Sequence, residues 1–142
     1  MRDIPILLNK GGIMKTGVFK AYFDGSASPN PGEINIGGCI KNGDVNIVKF
    51  SKNMGRGTNN EAEYLALIEI LKKIISFKIK KIKIFGDTQL IVNQINGRYR
   101  IKQDNMKHLY RQAKALLSHI PEWKLEWIKR SKNKEADVLS KG

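Results

Sequence analysis

Two aspartates stand where an α/β protein would place its chemistry. Asp24 closes the β-rich run Val18–Phe23, and Asp87 follows the run Lys81–Phe85 after one glycine. In open α/β sheets, ligands bind at the carboxyl ends of strands, where loops converge. If the two runs are parallel neighbours, both carboxylates point into one cleft. A third acid can come from the first helix and a fourth from the last, where Asp137 sits near the N-terminal turn. Singly, each aspartate reads as a turn or cap residue, since Asp is common at both. Crowded together, the carboxylates would repel one another and bind protons anomalously, unless divalent cations neutralise them. Hard oxygen donors without His or Cys suit Mg²⁺ or Mn²⁺ rather than zinc. Such ions in a basic surround are the machinery of phosphodiester chemistry.

The elements that must position these acids follow from periodicity. Val18–Phe23 is a strand, and Gly25–Gly32 (GSASPNPG) reads as a turn-rich loop. Asn35–Lys41 and Val45–Phe50 flank Asn42-Gly43, a strong hairpin signal. Thr58 and Glu61 form a capping box for a helix over Asn60–Ile75, whose Tyr64, Leu67, Ile68, Leu71 and Ile75 recur at helical spacing. Lys81–Phe85 is a strand, and Thr88–Ile95 a short helix stopped by Gly97. Asp104 is expected to cap a third helix with Met106, Leu109, Tyr110, Ala113, Leu116 and Leu117 on one face. Leu125–Ile128 is the last strand, and Asn133 is expected to cap the last helix. The order βββ-α-β-α-α-β-α predicts one mixed α/β domain, with the two later strands parallel to the first.

A chain of 142 residues fits one domain: residues 18–142, preceded by an extension at 1–17. The single cysteine, Cys39, excludes an internal disulfide framework and any multi-thiolate site. His108 and His119 leave little for a His-based metal site. No apolar run approaches the roughly 18 residues of a membrane span, and Ile4–Leu8 is too short for a secretory signal. A soluble, cytoplasmic, monomeric protein without membrane contact is expected. Lys plus Arg number 26 against 13 acids, a net charge of +13. That imbalance points to a polyanion, most often nucleic acid. A lysine-rich composition alone would also produce it, since 20 of the 26 are Lys.

Four stretches then carry a resemblance: Tyr22–Ser26 with Asn30-Pro31-Gly32, Thr58–Glu63, Gly86–Leu90, and Asn133–Ser140. In that order and spacing they closely resemble type 1 ribonuclease H over about residues 18–141. The resemblance implies a ribonuclease H-like fold, a five-stranded mixed sheet with three antiparallel strands and then parallel ones, flanked by helices. It implies Asp24, Glu63, Asp87 and Asp137 as catalytic carboxylates holding two Mg²⁺ (or Mn²⁺) ions. Glu61 rivals Glu63, but the two lie about 200° apart around a helix and cannot share a cleft. Family register selects Glu63, and the capping box gives Glu61 a structural task. Glu135 is read as a favourable charge in the first turn of the last helix.

The implied substrate is an RNA–DNA hybrid, cut in its RNA strand to leave 5′-phosphate and 3′-hydroxyl ends, with double-stranded RNA as a second substrate in some relatives. The resemblance places Asn30, Asn59, Asn60 and Gln89 at the minor groove, where the ribose 2′-hydroxyl is sensed, and Arg56 and Thr58 at a DNA-strand phosphate. Arg98, Arg100, Lys102, Lys107, Arg111 and Lys114 could track the duplex backbone, although half of them are expected to be a solvated face. Trp123 and Trp127 are expected in the core or sheet rather than as stacking platforms. Lys129–Lys132 lacks the loop histidine of some relatives, and Gly97–Asp104 has no room for their long basic insertion. The alternative is a non-catalytic nucleic-acid-binding module on the same fold, which predicts loss of one of the four acids; none is lost.

Overall fold

The computed structural model describes residues 18–142, so the proposed extension at 1–17 lies outside the described residues. Its strands are β1 (Phe19–Ser28), β2 (Gly32–Asn42), β3 (Val45–Gly57), β4 (Lys81–Gly86) and β5 (Glu122–Trp127). The helices are α1 (Asn59–Ser76), α2 (Gln89–Ile95), α3 (Asp104–Leu117) and α4 (Lys134–Leu139), with a 3₁₀ turn at Arg130–Lys132. They form one five-stranded sheet in the order β3-β2-β1-β4-β5. β1–β2 and β2–β3 are antiparallel; β1–β4 and β4–β5 are parallel. This is the mixed sheet expected from the sequence, with Asp24 in β1 and Asp87 one residue past the end of its neighbour β4.

Alternation along β1 decides what lies on each face of the sheet. Ala21, Phe23 and Ala27 face α1 and are buried with Leu67, Ile70, Leu71 and Ile74 of that helix. α1 also packs on α3, whose Met106, Ala113 and Leu117 complete this side of the core. The opposite face is covered only in part, by α4 against β1 and β2. Phe23 sits under Gly86, where any Cβ would strike its ring.

Several boundaries differ from the sequence reading. β1 continues through Gly25–Ser28, so the loop expected at 25–32 shrinks to a turn at 29–31; four register pairs with β2, Gly25↔Ile36 to Ser28↔Glu33, hold the extra residues. β3 likewise runs on to Gly57 against β2, overriding the turn-like residues Asn53 and Gly55. β5 begins at Glu122 because it pairs with β4 from Lys81 onward. Asp104 does not cap α3: Gln103 holds that position, and no side chain bonds there. Asn133 precedes α4 but makes no cap bond: its Nδ2 donates to Phe23 and Asp87, and its Oδ1, the atom that would accept a cap bond, accepts none. Both tryptophans are sheet residues, as expected: Trp123 packs against the core, and Trp127 ends edge strand β5 at 43% exposure. Among the described residues no helix is long and apolar enough to cross a membrane.

Candidate active site

Two glycines set how closely the helices approach β1 at Asp24. A Cβ on Gly25 would collide with the Ala62 carbonyl of α1. The bare backbone lets α1 settle there, and the Gly25 amide donates to Glu63 Oε1 at 3.2 Å. Gly37 pairs with Asp24 across β1–β2, and a Cβ on it would meet Leu139 and the Ser140 amide of α4. α4 therefore lies against the strand, and Ser140 Oγ donates to Asp24 Oδ2 at 2.8 Å. With Asp87 one residue beyond β4, the carboxylate oxygens of Asp24, Glu63 and Asp87 come within 4.8 Å of one another.

One amide ties three elements together at this point. Asn133 Nδ2 donates to the Phe23 carbonyl of β1 at 2.9 Å and to Asp87 Oδ2 at 3.2 Å. Asn133 is 1% exposed, and its Oδ1 is buried without a partner among the described residues.

Burial, and then the charge of Asp87, push Asp24 up to about 7. Burial and the charges of Asp24 and Asp87 hold Glu63 well above the usual carboxylate range. Burial also raises Asp87, against the Asn133 hydrogen bond and the Arg130 charge. Asp137 behaves oppositely. Burial pulls it up, but Lys141 at 3.0 Å and Arg130 at 3.2 Å on Oδ1, with Asp24 in hydrogen-bonding reach, leave it below the ordinary value. Asp137 thus lies beside Asp24, outside the tight group of three.

This donor set fits a hard divalent cation. Three crowded carboxylates resist ionising together, which costs free energy until positive charge arrives. Oxygen donors without His or Cys match Mg²⁺ or Mn²⁺. The orphaned Asn133 Oδ1 is a buried acceptor to which none of the described residues donates, at a cost of about 1–3 kcal/mol.

Glu61 takes the structural task expected of it. Its Oε1 accepts from the Thr58 amide at 2.8 Å while Thr58 Oγ1 accepts from the Glu61 amide, closing the capping box. Its Oε2 accepts from Asn105 Nδ2 at 2.9 Å. Glu135 sits in the first turn of α4 and also binds Lys41 at 3.0 Å and Asn46 at 2.7 Å, pinning α4 to β2 and β3.

Asn30, Arg56, Thr58, Asn59 and Asn60 gather around the start of α1. Asn30 Oδ1 accepts from the Asn59 amide at 3.0 Å, and Asn59 Oδ1 from the Ala27 amide at 2.7 Å. Both side chains therefore spend their acceptor on the scaffold and keep their Nδ2 donors. Arg56 is exposed, 3.6 Å from Glu33. Asn60 and Gln89 stand exposed in the first turns of α1 and α2. A groove of about 580 Å³ runs on from Asn60 past Gln94 to Arg98, Arg100 and Lys102.

The sequence reading gave no site role to Ser140, Arg130, Lys141 or Asn105, and gave Asn133 only a capping role. Their signal was positional: Ser140 follows Asp137 by three residues and Lys141 by four, one helical turn.

The chain matches the family model described as "Reverse transcriptase-like" over residues 22–142. It is 35% identical over 121 residues to a ribonuclease HI of Halobacterium salinarum, covering 84% of this chain but 61% of that protein, so it spans about three fifths of that curated relative. The crystal structure of RNase H1 from that archaeon superposes with a TM-score of 0.85 at 32% identity, over 88% of this chain and 96% of the other. LC11-RNase H1, solved in complex with an RNA/DNA hybrid, superposes with a TM-score of 0.82 at 31% identity, over 87% and 94%. Shared sheet order, helix placement and these identities across nearly all the described residues lead to one assignment: the chain belongs to the ribonuclease H family.

Proposed function

We propose that this protein is a monomeric, cytoplasmic endonuclease that hydrolyses the RNA strand of RNA–DNA hybrids. In this reading Asp24, Glu63, Asp87 and Asp137 hold two Mg²⁺ or Mn²⁺ ions, and the products carry 5′-phosphate and 3′-hydroxyl ends. The observation that carries it is the convergence of Asp24, Glu63 and Asp87 within 4.8 Å, where mid-β1 just past its last pair with β4 meets the end of β4 and the first turns of α1. The similarity to an RNase H1 that was crystallised with a hybrid supports the substrate class.

When bound, the ions would activate a water for attack on the phosphate and offset charge on the leaving oxygen. The protein's part is to fix the donors. The Gly25 amide orients Glu63, Ser140 orients Asp24, and Asn133 orients Asp87. Arg130 and Lys141 keep Asp137 ionised at the rim. The free Nδ2 groups of Asn30 and Asn59, with Asn60 and Gln89, present donors to ribose hydroxyls and base edges in a shallow minor groove. Arg56, with Thr58 at the start of α1, suits a phosphate of the DNA strand.

Asp24→Asn keeps the shape and removes the charge. RNA cleavage in a hybrid should fall at least a thousandfold while hybrid affinity, read by anisotropy in EDTA, changes less than threefold. Retained cleavage would remove the assignment. Running matched double-stranded RNA beside the hybrid settles how strictly the substrate is chosen.

A further inference from the structure

Outside the carboxylate site, the least expected feature is a row of lysines across the open face of the sheet. Lys20 of β1 pairs in register with Lys41 of β2 on one side and Lys83 of β4 on the other, and Lys83 pairs with Lys124 of β5. In-register partners share a face, so four lysines on four adjacent strands form one line about 14 Å long. Like charges directly opposite across strands are destabilising. Lys41 is neutralised by Glu135 at 3.0 Å. Among the described residues, Lys20, Lys83 and Lys124 have no carboxylate within 4.0 Å. The row therefore holds three lysines without an ion-pair partner among the described residues, with Glu122 and Glu126 flanking Lys124 on the same face of β5.

Its position adds a direction. Lys20 and Asp24 are four residues apart on the same face of β1, about 13 Å. The same four residues separate Lys83 from Asp87. Between the row and the acids lie Tyr22 and Phe85, in register and stacked with ring centroids 5.2 Å apart. Aromatic rings beside a basic track are what single-stranded nucleic acid binds, through phosphate neutralisation and stacking.

We propose that this face holds the phosphate backbone of a single-stranded extension of the substrate, leading away from the cleavage site across Tyr22 and Phe85 onto Lys20, Lys83 and Lys124. The inference rests on the proposed function, and goes beyond it in assigning a second contact surface remote from the α1 shelf. Charge complementarity selects the occupant: three free ammonium groups in a line match about three phosphates, with a salt slope near −2 for a single strand.

The test compares binding of a blunt 12-base-pair hybrid with hybrids carrying an eight-nucleotide single-stranded tail at one end or the other, by anisotropy in EDTA at 100 mM salt. At least one tail should tighten binding about tenfold. The triple variant Lys20→Gln, Lys83→Gln, Lys124→Gln should abolish that gain and flatten its salt dependence by about two in the logarithmic slope, while binding and cutting blunt hybrid as the parent does. A tail that adds nothing for the parent protein, or a gain that survives in the variant, overturns the proposal. Thermal melting of the variant shows whether its fold is intact; should it melt, Lys→Gln at 83 and 124 alone should remove most of the gain. Failure to cleave blunt hybrid would instead strike at the proposed activity, so the two readings fail separately.

Discussion

Asp24 is buried to 6% exposure yet surrounded by other acids, and its carboxyl is pushed up to about 7 by burial and by Asp87. Without divalent ions the folded protein therefore keeps a proton that the unfolded chain, with an ordinary carboxyl near 3.9, has released. Between about pH 4 and 7 the native state binds more protons, so stability falls as pH rises through that window. In EDTA the melting temperature should be higher at pH 5.5 than at pH 8, by an increment that Asp24→Asn reduces, the remainder coming from the raised Glu63 and Asp87. Lowered acids such as Glu61 and Asp137 act in the opposite sense, but their loss of stability lies below about pH 4, outside the comparison. Asn133 is the second residue on which the site depends. Asn133→Ala frees Asp87 and leaves the Phe23 carbonyl unpartnered. Turnover should drop about 10–100-fold, the usual cost of losing a partner that orients a metal-binding carboxylate, and stability by about 1–3 kcal/mol. Turnover within twofold of the parent would show that Asp87 needs no such support.

The elements themselves are held where the site needs them by small, local features. The Thr58–Glu61 capping box fixes the start of α1, and Glu63 follows within its first two turns. Thr58→Ala should cost about 1 kcal/mol through the lost cap and disturb the shelf formed by Asn59 and Asn60. The close packing at Gly25 is less forgiving. Gly25→Ala puts a methyl into the Ala62 carbonyl, so α1 must retreat and carry Glu63 with it. Destabilisation of about 1–3 kcal/mol and weakened Mn²⁺ binding, measured by calorimetry, should appear together. Loss of stability with unchanged Mn²⁺ affinity would separate the glycine from the site. Much of this layer could be read from residue order. The capping box, the helical stripe of α1, the Asn42-Gly43 turn and Asp87 just past the end of β4 all carry local signals. What could not be read was tertiary. β1 and β3 run past their turn-like residues because β2 pairs with them throughout, which leaves Asp24 in mid-strand, and Asn133 makes no cap because its Nδ2 bonds to Phe23 and Asp87 fix its side chain with Oδ1 accepting nothing. The Glu63 assignment came from resemblance, not periodicity; geometry then supplied its anchor on Gly25.

The whole molecule carries +13, and its charges are not spread evenly. The acids of the cleft form an island, with Arg130 and Lys141 at its rim, the α1 shelf on one flank and the lysine row along the open sheet face. On the proposed function, such a surface would draw in a polyanion and need a cation to seat it over the acids. Millimolar Mg²⁺ should raise the melting temperature at pH 8 by several degrees, since a ligand at 100 times its dissociation constant adds about 2.7 kcal/mol, and Asp87→Asn should shrink that rise. Hybrid binding should weaken steeply with salt, as counterion release demands.

The most direct measurement is anomalous scattering from crystals grown with Mn²⁺. Two peaks should appear among the carboxylates of Asp24, Glu63, Asp87 and Asp137, and both should vanish in Asp24→Asn. Manganese bound only elsewhere, or a cleft that stays empty at concentrations where the wild-type protein cleaves RNA, would contradict the account.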